Sequence, residues 1–169
     1  MKTYRDECEQ RAKLYCEKRF CEPLFNSQLG WGQEGYVWET SQRSAIKVYR
    51  ENGEINFNRE FRCYRILAEH GITELKGFNI PQMIDSESRL LVIEMTIVSA
   101  PYILDFGKAN FAPHDFSEEV MEYYDQEREE WFEGNWDRVQ NALYSLERLG
   151  IYYNDARPGN INCGGLPEL

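Results

Sequence analysis

The chain has 169 residues, and its 29 acidic against 19 basic side chains give a formal net charge of −10. The length allows one compact domain or two small lobes, and a hydrophobic content of 42% excludes a disordered chain. So acidic a surface repels phosphate backbones, and the longest apolar run, residues 90–100, is too short to cross a bilayer. We therefore expect neither nucleic acid nor a membrane as a partner.

The five cysteines include no Cys-x-x-Cys pair, which indicates a reduced, cytoplasmic protein. The first predicted element is a helix of weak amphipathicity at residues 1–20. Two β-prone runs, residues 35–39 and 44–49, are then predicted to form a hairpin. Aromatic residues at helical spacing predict a helix over residues 56–70, which Gly71 ends.

Two further short strands are predicted at residues 80–83 and 90–96, on either side of a turn at residues 85–88. Residues 101–113 are expected to be irregular. Asp115 and Glu118 have capping-box spacing, which predicts an acidic helix that reaches about Phe132.

A second helix is predicted at residues 136–149, ended by Gly150. A short strand, a loop and a hairpin signal at Gly164 and Gly165 complete the chain. Strands first and helices later favour an α+β fold with two lobes.

The first motif with chemical meaning is the glycine-rich stretch of Gly30, Gly32, Gly35 and Val37, between two predicted strands. A dinucleotide-binding turn would need a helix at its end, so the placement argues against one. A glycine-rich turn between strands lets bare backbone approach phosphates, because no Cβ blocks the way. A tight hairpin would also explain these glycines.

Lys47 is the second feature, on the next predicted strand and among apolar neighbours. Burial of a lysine costs desolvation free energy unless an anion meets it. Glu60, on the predicted helix that follows, can supply that anion. An exposed lysine and a solvated glutamate are the alternative.

The third feature is the loop with Asp155, Arg157 and Asn160, just after the second predicted helix of the C-terminal half. The carboxylate of Asp155 can face a nucleophile and the amide of Asn160 a metal, while Arg157 can neutralise a phosphate in transfer. An ordinary turn rich in Asn and Asp is the alternative.

In this chain order the three features resemble the signature set of protein kinases, over roughly residues 29–162. The resemblance implies a kinase-like two-lobe fold: an antiparallel β N-lobe at residues 21–97 and a truncated helical C-lobe at residues 98–169, preceded by an accessory helix at residues 1–20. It implies ATP as ligand and Mg²⁺ as cofactor.

The resemblance also implies residue roles. Asp155 would be the catalytic base with Arg157 beside it, and Asn160 would be a magnesium ligand. The residues implied in nucleotide binding are Gly30, Gly32, Gly35, Val37, Ala45, Lys47, Glu60, Glu94 and Thr96. The last two lie on the strand before the hinge, whose backbone would hold adenine.

The chain departs from the family pattern around the catalytic loop. Tyr153 and Asn154 stand where the family has His-Arg, and Arg157 replaces a lysine. Only nine residues follow Asn160, which leaves no room for the magnesium-binding Asp-Phe-Gly segment.

An Asp-Phe-Gly sequence does occur, at residues 105–107, but it precedes the catalytic loop. We interpret it as a chance match on the wrong side of the fold. Glu168 is instead expected to approach the magnesium site, brought back by the hairpin at Gly164 and Gly165.

The resemblance implies an ATP-dependent phosphotransferase that acts on an unidentified hydroxyl acceptor, a protein or a small molecule. A catalytically inactive pseudokinase, which binds nucleotide or acts as a scaffold for a partner, is the alternative. Small-molecule kinases of the aminoglycoside and choline type are a further enzyme candidate, since the sequence of their catalytic loop is similar to residues 155–160. His70 and His114 show no ligand spacing and are interpreted as isolated residues at the surface or in capping positions. The acidic helix is interpreted as a solvated face with an aromatic stripe packed on the core, with partner binding as its alternative.

Overall fold

The structure is a computed structural model that describes residues 3–166. Its helices are α1 (Tyr4–Arg19), α2 (Glu54–Glu69), α3 (Glu118–Phe132) and α4 (Trp136–Glu147). Its strands are β1 (Pro23–Trp31), β2 (Gly35–Thr40), β3 (Ser44–Tyr49), β4 (Glu74–Leu75), β5 (Phe78–Asn79), β6 (Met83–Glu87), β7 (Val92–Thr96), β8 (Tyr102–Ile103) and β9 (Ile161–Asn162). The predicted α+β class is confirmed.

The chain forms two compact units. The first comprises the residues up to Arg65 together with Pro81–Ile97, and the second comprises Ile66–Ile80 and the chain from Val98 onward. The first unit is built on a five-stranded antiparallel sheet in the order β1-β2-β3-β7-β6. The predicted β2–β3 hairpin is confirmed, and every residue of β3 is buried.

Helix α1 covers one face of this sheet and supplies four of the nine buried residues in the hydrophobic cluster there. Its buried Cys8, Ala12, Tyr15 and Cys16 form one hydrophobic cluster with residues of the sheet, among them Trp38, Ile46, Val48 and Val92. Thr3 caps the helix in a capping box. The segment expected as an accessory helix therefore belongs to the core of the first unit.

The predicted pair of strands is confirmed as β6 and β7, but the expected bounds of the first strand, residues 80–83, and of the turn, residues 85–88, are wrong. Strand β6 runs through Asp85 to Glu87, and the turn follows at residues 88–91. The charged side chains are accepted in a strand because α1 neutralises them. Arg19 lies 3.4 Å from Asp85, and Lys18 lies 2.8 Å from Glu87.

The second unit combines α3 and α4 with a small sheet in the order β4-β5-β8-β9. Strands β8 and β9 pair antiparallel, so residues 101–113, expected to be irregular, include a strand. The N-cap of α3 is Ser117, not the predicted Asp115, and its Oγ accepts from the Val120 N–H at 3.4 Å. The predicted end of α3 at Phe132 is confirmed.

Helix α4 ends three residues before Gly150, which adopts the left-handed conformation with a φ of 77°.

Gly164 and Gly165 lie in a turn, but the pairing partner of β9 within residues 3–166 is β8. The segment expected to fold back beyond Leu166, with Glu168, lies outside the described residues. None of the helices within residues 3–166 has the length and apolar character needed to cross a membrane.

Candidate functional site

The first cluster of site residues forms around Lys47. Its side chain and that of Glu60 are 8% and 1% exposed, and Lys47 Nζ lies 2.6 Å from Glu60 Oε2. The hydroxyl group of Tyr49 also donates to Glu60 Oε2. The predicted pairing of the strand lysine with the helix glutamate is therefore confirmed.

The alternation of β3 explains this geometry. Ile46 and Val48 belong to the cluster under α1, so Lys47 and Tyr49 point to the opposite face. Helix α2 covers that face, where Phe57 packs its ring edge-on against Tyr49, with centroids 5.8 Å apart. Glu60 follows Phe57 by three residues and shares its side of α2.

A second carboxylate, which the sequence interpretation missed, also approaches Lys47. Glu34 Oε2 lies 3.6 Å from Lys47 Nζ. Glu34 belongs to the turn between β1 and β2 and lies within the glycine-rich stretch, which was the available signal. An anion that approaches Lys47 therefore meets the negative charge of Glu34 as well as the positive charge of the lysine.

The fold does not need every glycine of this turn to the same degree. A Cβ on Gly32 would meet no atom within 4 Å, whereas a Cβ on Gly35 would lie 2.1 Å from the Val48 carbonyl oxygen. A Cβ on Gly30 would make an ordinary contact of 3.7 Å with Val37. The fold therefore requires glycine at position 35, whereas a side chain at position 32 would meet open space.

Three predicted nucleotide-binding residues share the face of the sheet that α2 covers. Val37 pairs with Lys47 across β2 and β3, and Ala45 lies two residues before Lys47 on the same strand. Val37 is half-buried and Ala45 is buried. The structure thus brings Val37, Ala45 and Lys47 together with Glu60.

Glu94 and Thr96 do not join them. Glu94 pairs with Ile46 in the sheet and points to the α1 face, where its carboxylate accepts from Tyr15 Oη at 2.8 Å and Arg19 Nε at 3.0 Å. The backbone N–H of Thr96 donates to the Gln82 carbonyl oxygen at 2.9 Å. Glu94 and Thr96 therefore lie on the face of the sheet opposite to Lys47, and their implied contact with a nucleotide stays a prediction.

The second cluster forms around Asp155. Asn160 Nδ2 donates to the carbonyl oxygen and to Oδ2 of Asp155, both at 3.0 Å. Lys108 Nζ lies 3.1 Å and Arg157 Nη2 3.5 Å from the same Oδ2. The structure thus brings together the three predicted residues of this loop, and it adds Lys108.

The segment with Asp105 and Phe106 lies beside this loop, so its interpretation as lying on the wrong side of the fold is wrong. The N–H of Leu104 donates to the Asn160 carbonyl oxygen at 2.8 Å. Tyr153 Oη donates to the Leu104 carbonyl oxygen at 2.5 Å, and the ring of Tyr153 packs edge-on against Phe106. The β8–β9 pairing joins the two segments across α3 and α4.

His114 is exposed, as expected from the sequence for a surface residue, and its side chain contacts those of two asparagines. Its Nε2 lies 2.8 Å from Asn110 Nδ2 and 2.7 Å from Asn154 Nδ2, and its ring stacks on Phe116. An imidazole nitrogen that accepts from two amides links the segment after β8 to the residue before Asp155. No spacing in the sequence signalled this contact.

Arg128 links α3 to the same loop. Its Nε donates to the Ala156 carbonyl oxygen at 3.1 Å. Its guanidinium lies 3.8 Å from the ring centroid of Tyr124 and 4.5 Å from that of Trp131, which fixes its orientation.

The loop offers few ligands for a cation. No group of three or more His, Cys, Asp or Glu side chains within residues 3–166 is arranged to hold a metal. Asn160 donates through Nδ2 in both of its hydrogen bonds to Asp155, so its amide oxygen is not used in them. Asp105 follows Leu104 in the chain, and its Oδ1 accepts from the Gly107 N–H at 3.3 Å. Magnesium needs only one or two protein ligands besides phosphate and water.

No family model matches the chain, and none of the curated proteins matches it significantly. Function has to be inferred from the residues of the two clusters.

Proposed function

We propose that the chain binds ATP and transfers its terminal phosphoryl group to a hydroxyl acceptor, as a protein-kinase-like phosphotransferase with a kinase-like two-lobe fold. The observation that carries the proposal is the buried pair of Lys47 and Glu60, at 2.6 Å. A buried ion pair seldom stabilises a fold more than apolar residues would. A lysine that a glutamate fixes in place is suited to bind phosphate oxygens.

The surroundings of Lys47 support a nucleotide as the ligand. Val37 and Ala45 offer an apolar surface for the base on the same face of the sheet. Gly32 leaves open space beside the turn, where backbone can approach the phosphates. The five-stranded antiparallel sheet, with the glutamate on the helix that follows the lysine strand, supports the kinase-like fold.

In the proposed reaction, Asp155 accepts the proton of the acceptor hydroxyl as its oxygen attacks the terminal phosphorus. The bond between that phosphorus and the oxygen of the leaving ADP breaks, and a phosphate ester forms. Lys108 and Arg157 lie 3.1 and 3.5 Å from the Asp155 carboxylate. Their positive charges would neutralise the negative charge of the phosphoryl oxygens.

Asn160 and Asp105 are the residues that would hold Mg²⁺. When bound, the ion would neutralise phosphate charge. Asp105 would thus take the role that the sequence interpretation gave to Glu168. Its segment precedes the catalytic loop in the chain but is hydrogen-bonded to it through Leu104.

Glu34 supports a second candidate function, a pseudokinase that binds nucleotide weakly or conditionally. Its carboxylate lies 3.6 Å from Lys47 Nζ, where it would repel a phosphate. A chain that retains this contact with ATP present would serve as a scaffold for a partner and not as an enzyme.

Calorimetric titration with ATP, with and without magnesium, tests nucleotide binding by the purified chain. ADP formation in the presence of small hydroxyl compounds and peptides that contain serine, threonine and tyrosine tests transfer. Binding with turnover supports the phosphotransferase, and binding without turnover supports the pseudokinase. Absence of heat at millimolar ATP would refute both.

A further inference from the structure

Helix α3 packs against the rest of the described chain along a narrow strip. Of its 15 residues only Phe132 is buried. An isolated helix of this length is marginal in water, and most helices are stabilised by an apolar face packed in the tertiary structure. Within residues 3–166, the greater part of α3 has no such packing.

The exposed side of α3 is nonetheless apolar along a stripe. Val120, Tyr123 and Trp131 are 49%, 69% and 41% exposed. Their spacing of three and eleven residues places them along one side of the helix. Single exposed apolar residues are ordinary, but an aligned set marks a contact surface.

The stripe ends at a pocket of about 340 Å³. Trp131, Phe132, Pro158, Ile161 and Cys163 line it, together with the polar side chains of Glu133, Asn135 and Asn162. The apolar part of this lining can accept an apolar side chain.

Acidic side chains flank the stripe. Helix α3 carries seven carboxylates against one guanidinium, that of Arg128. Two copies of this surface would repel each other, and so would an anionic membrane or a nucleic acid. A basic segment is the complementary partner.

We propose that the stripe of Val120, Tyr123 and Trp131, with its flanking glutamates and the adjacent pocket, docks a basic amphipathic segment of a partner protein. The lysines or arginines of that segment pair with the glutamates, and one of its apolar side chains enters the pocket. Arg128 joins this surface to the Ala156 carbonyl group, so the docked segment lies beside the Asp155 loop. The docking does not depend on ATP binding.

The probe is a fluorescent peptide of alternating lysine and leucine, with a glutamate–leucine peptide as its control. Fluorescence anisotropy is expected to detect binding of the lysine peptide alone. Replacement of three exposed glutamates, Glu119→Gln, Glu122→Gln and Glu130→Gln, is expected to weaken binding about tenfold or more. Within residues 3–166, no hydrogen bond or ion pair involves these three exposed side chains, so the variant is expected to keep its fold.

The matched control removes the same charge elsewhere, through Glu17→Gln, Glu51→Gln and Glu147→Gln, at three exposed positions. Affinity is expected to change less than about twofold. An equal loss in both triple variants would reduce the binding to bulk charge and overturn the proposal.

A second readout locates the peptide. Cys163 is the one cysteine of the five that is not buried, and it lines the pocket. The bound peptide is expected to slow alkylation of Cys163 at mildly alkaline pH, and Tyr123→Ser is expected to remove that protection. Unchanged alkylation, or a wild-type dimer in size-exclusion chromatography that Tyr123→Ser separates, would overturn the proposal.

Discussion

Lys47 and Glu60 form an ion pair of 2.6 Å in which both side chains are buried. Each charge loses its hydration on folding, and each is the counter-charge of the other. Removal of one partner therefore leaves a buried charge without its main counter-charge. Removal of both still leaves the carboxylate of Glu34, which lies 3.6 Å from Lys47 Nζ in the native chain.

The stability of the pair and its proposed function can be separated by substitution. Lys47→Met is expected to lower the free energy of unfolding by about 3–5 kcal/mol and to abolish measurable ATP binding. The double variant Lys47→Met, Glu60→Leu should recover part of the stability, since the charge of Glu34 remains, but none of the ATP binding. Urea denaturation and calorimetry are the measurements. Recovery of ATP binding in the double variant would exclude Lys47 as a phosphate ligand.

Gly32 and Gly35 provide a matched pair of substitutions in one turn. Gly35→Ala is expected to cost about 1–3 kcal/mol of stability, because its Cβ would press on the Val48 carbonyl oxygen at 2.1 Å. Gly32→Ala meets open space, so it should preserve the melting temperature while it weakens ATP binding. If both variants have the melting temperature of the wild type, the backbone relieves the close contact at position 35. The fold would then not require glycine there.

Glu34→Gln tests whether the carboxylate in the glycine-rich turn weakens the binding of ATP by charge repulsion. The substitution removes the carboxylate 3.6 Å from Lys47 Nζ and keeps the size of the side chain. ATP affinity is therefore expected to rise several-fold in calorimetric titration. Glu51→Gln, an exposed carboxylate after β3, serves as the control and should leave affinity unchanged. A fall in ATP affinity in Glu34→Gln would show that the carboxylate positions Lys47 for the nucleotide.

Asp155→Asn separates binding from transfer. The carboxylate of Asp155 acts on the acceptor as the transition state forms, so ATP affinity should stay within a few-fold of the wild type while ADP formation disappears. Asp115→Asn, at an exposed position before α3, is the matched control and should retain turnover. Equal turnover in Asp155→Asn and the wild type would remove Asp155 from the mechanism.

The stability of the chain is expected to fall at alkaline pH. Burial raises the pKa of Tyr4 from 10.0 to about 12, and burial and then the charge of Glu60 raise the pKa of Cys63 from 9.0 to about 12. The unfolded chain therefore loses these protons first. The stabilisation is complete below pH 9 and is lost as the pH rises towards 12.

The urea midpoint measured across this pH range is the test of that expectation. Cys63→Ala removes one of the two groups, so its midpoint should depend less steeply on pH than that of the wild type. A midpoint that stays constant or rises above pH 9 would contradict the raised pKa values.

Local patterns predicted most of the first unit. The β2–β3 hairpin and α2 follow from alternation and helical spacing, and the same spacing placed Glu60 opposite Lys47. The bounds of β6 could not be predicted, because Asp85 and Glu87 are typical turn residues. They are stable in a strand because Arg19 and Lys18 of α1, distant in sequence, neutralise their charges.

The second unit was less predictable for a similar reason. Asp155, Arg157 and Asn160 lie close in sequence, so their grouping was visible. Lys108 and Phe106 join them through the β8–β9 pairing, which spans α3 and α4. A two-residue strand has too short a pattern to be recognised in a sequence.

That pairing also has a consequence for folding. Helices α3 and α4 can form from local contacts. The pairing of Ile103 with Ile161 instead requires closure of the whole intervening segment, whose entropy cost precedes any stabilising contact. The Asp155 loop is therefore expected to order late and to open first. Native-state hydrogen exchange should find the amides of Leu104 and Asn110 less protected than those in the middle of α4.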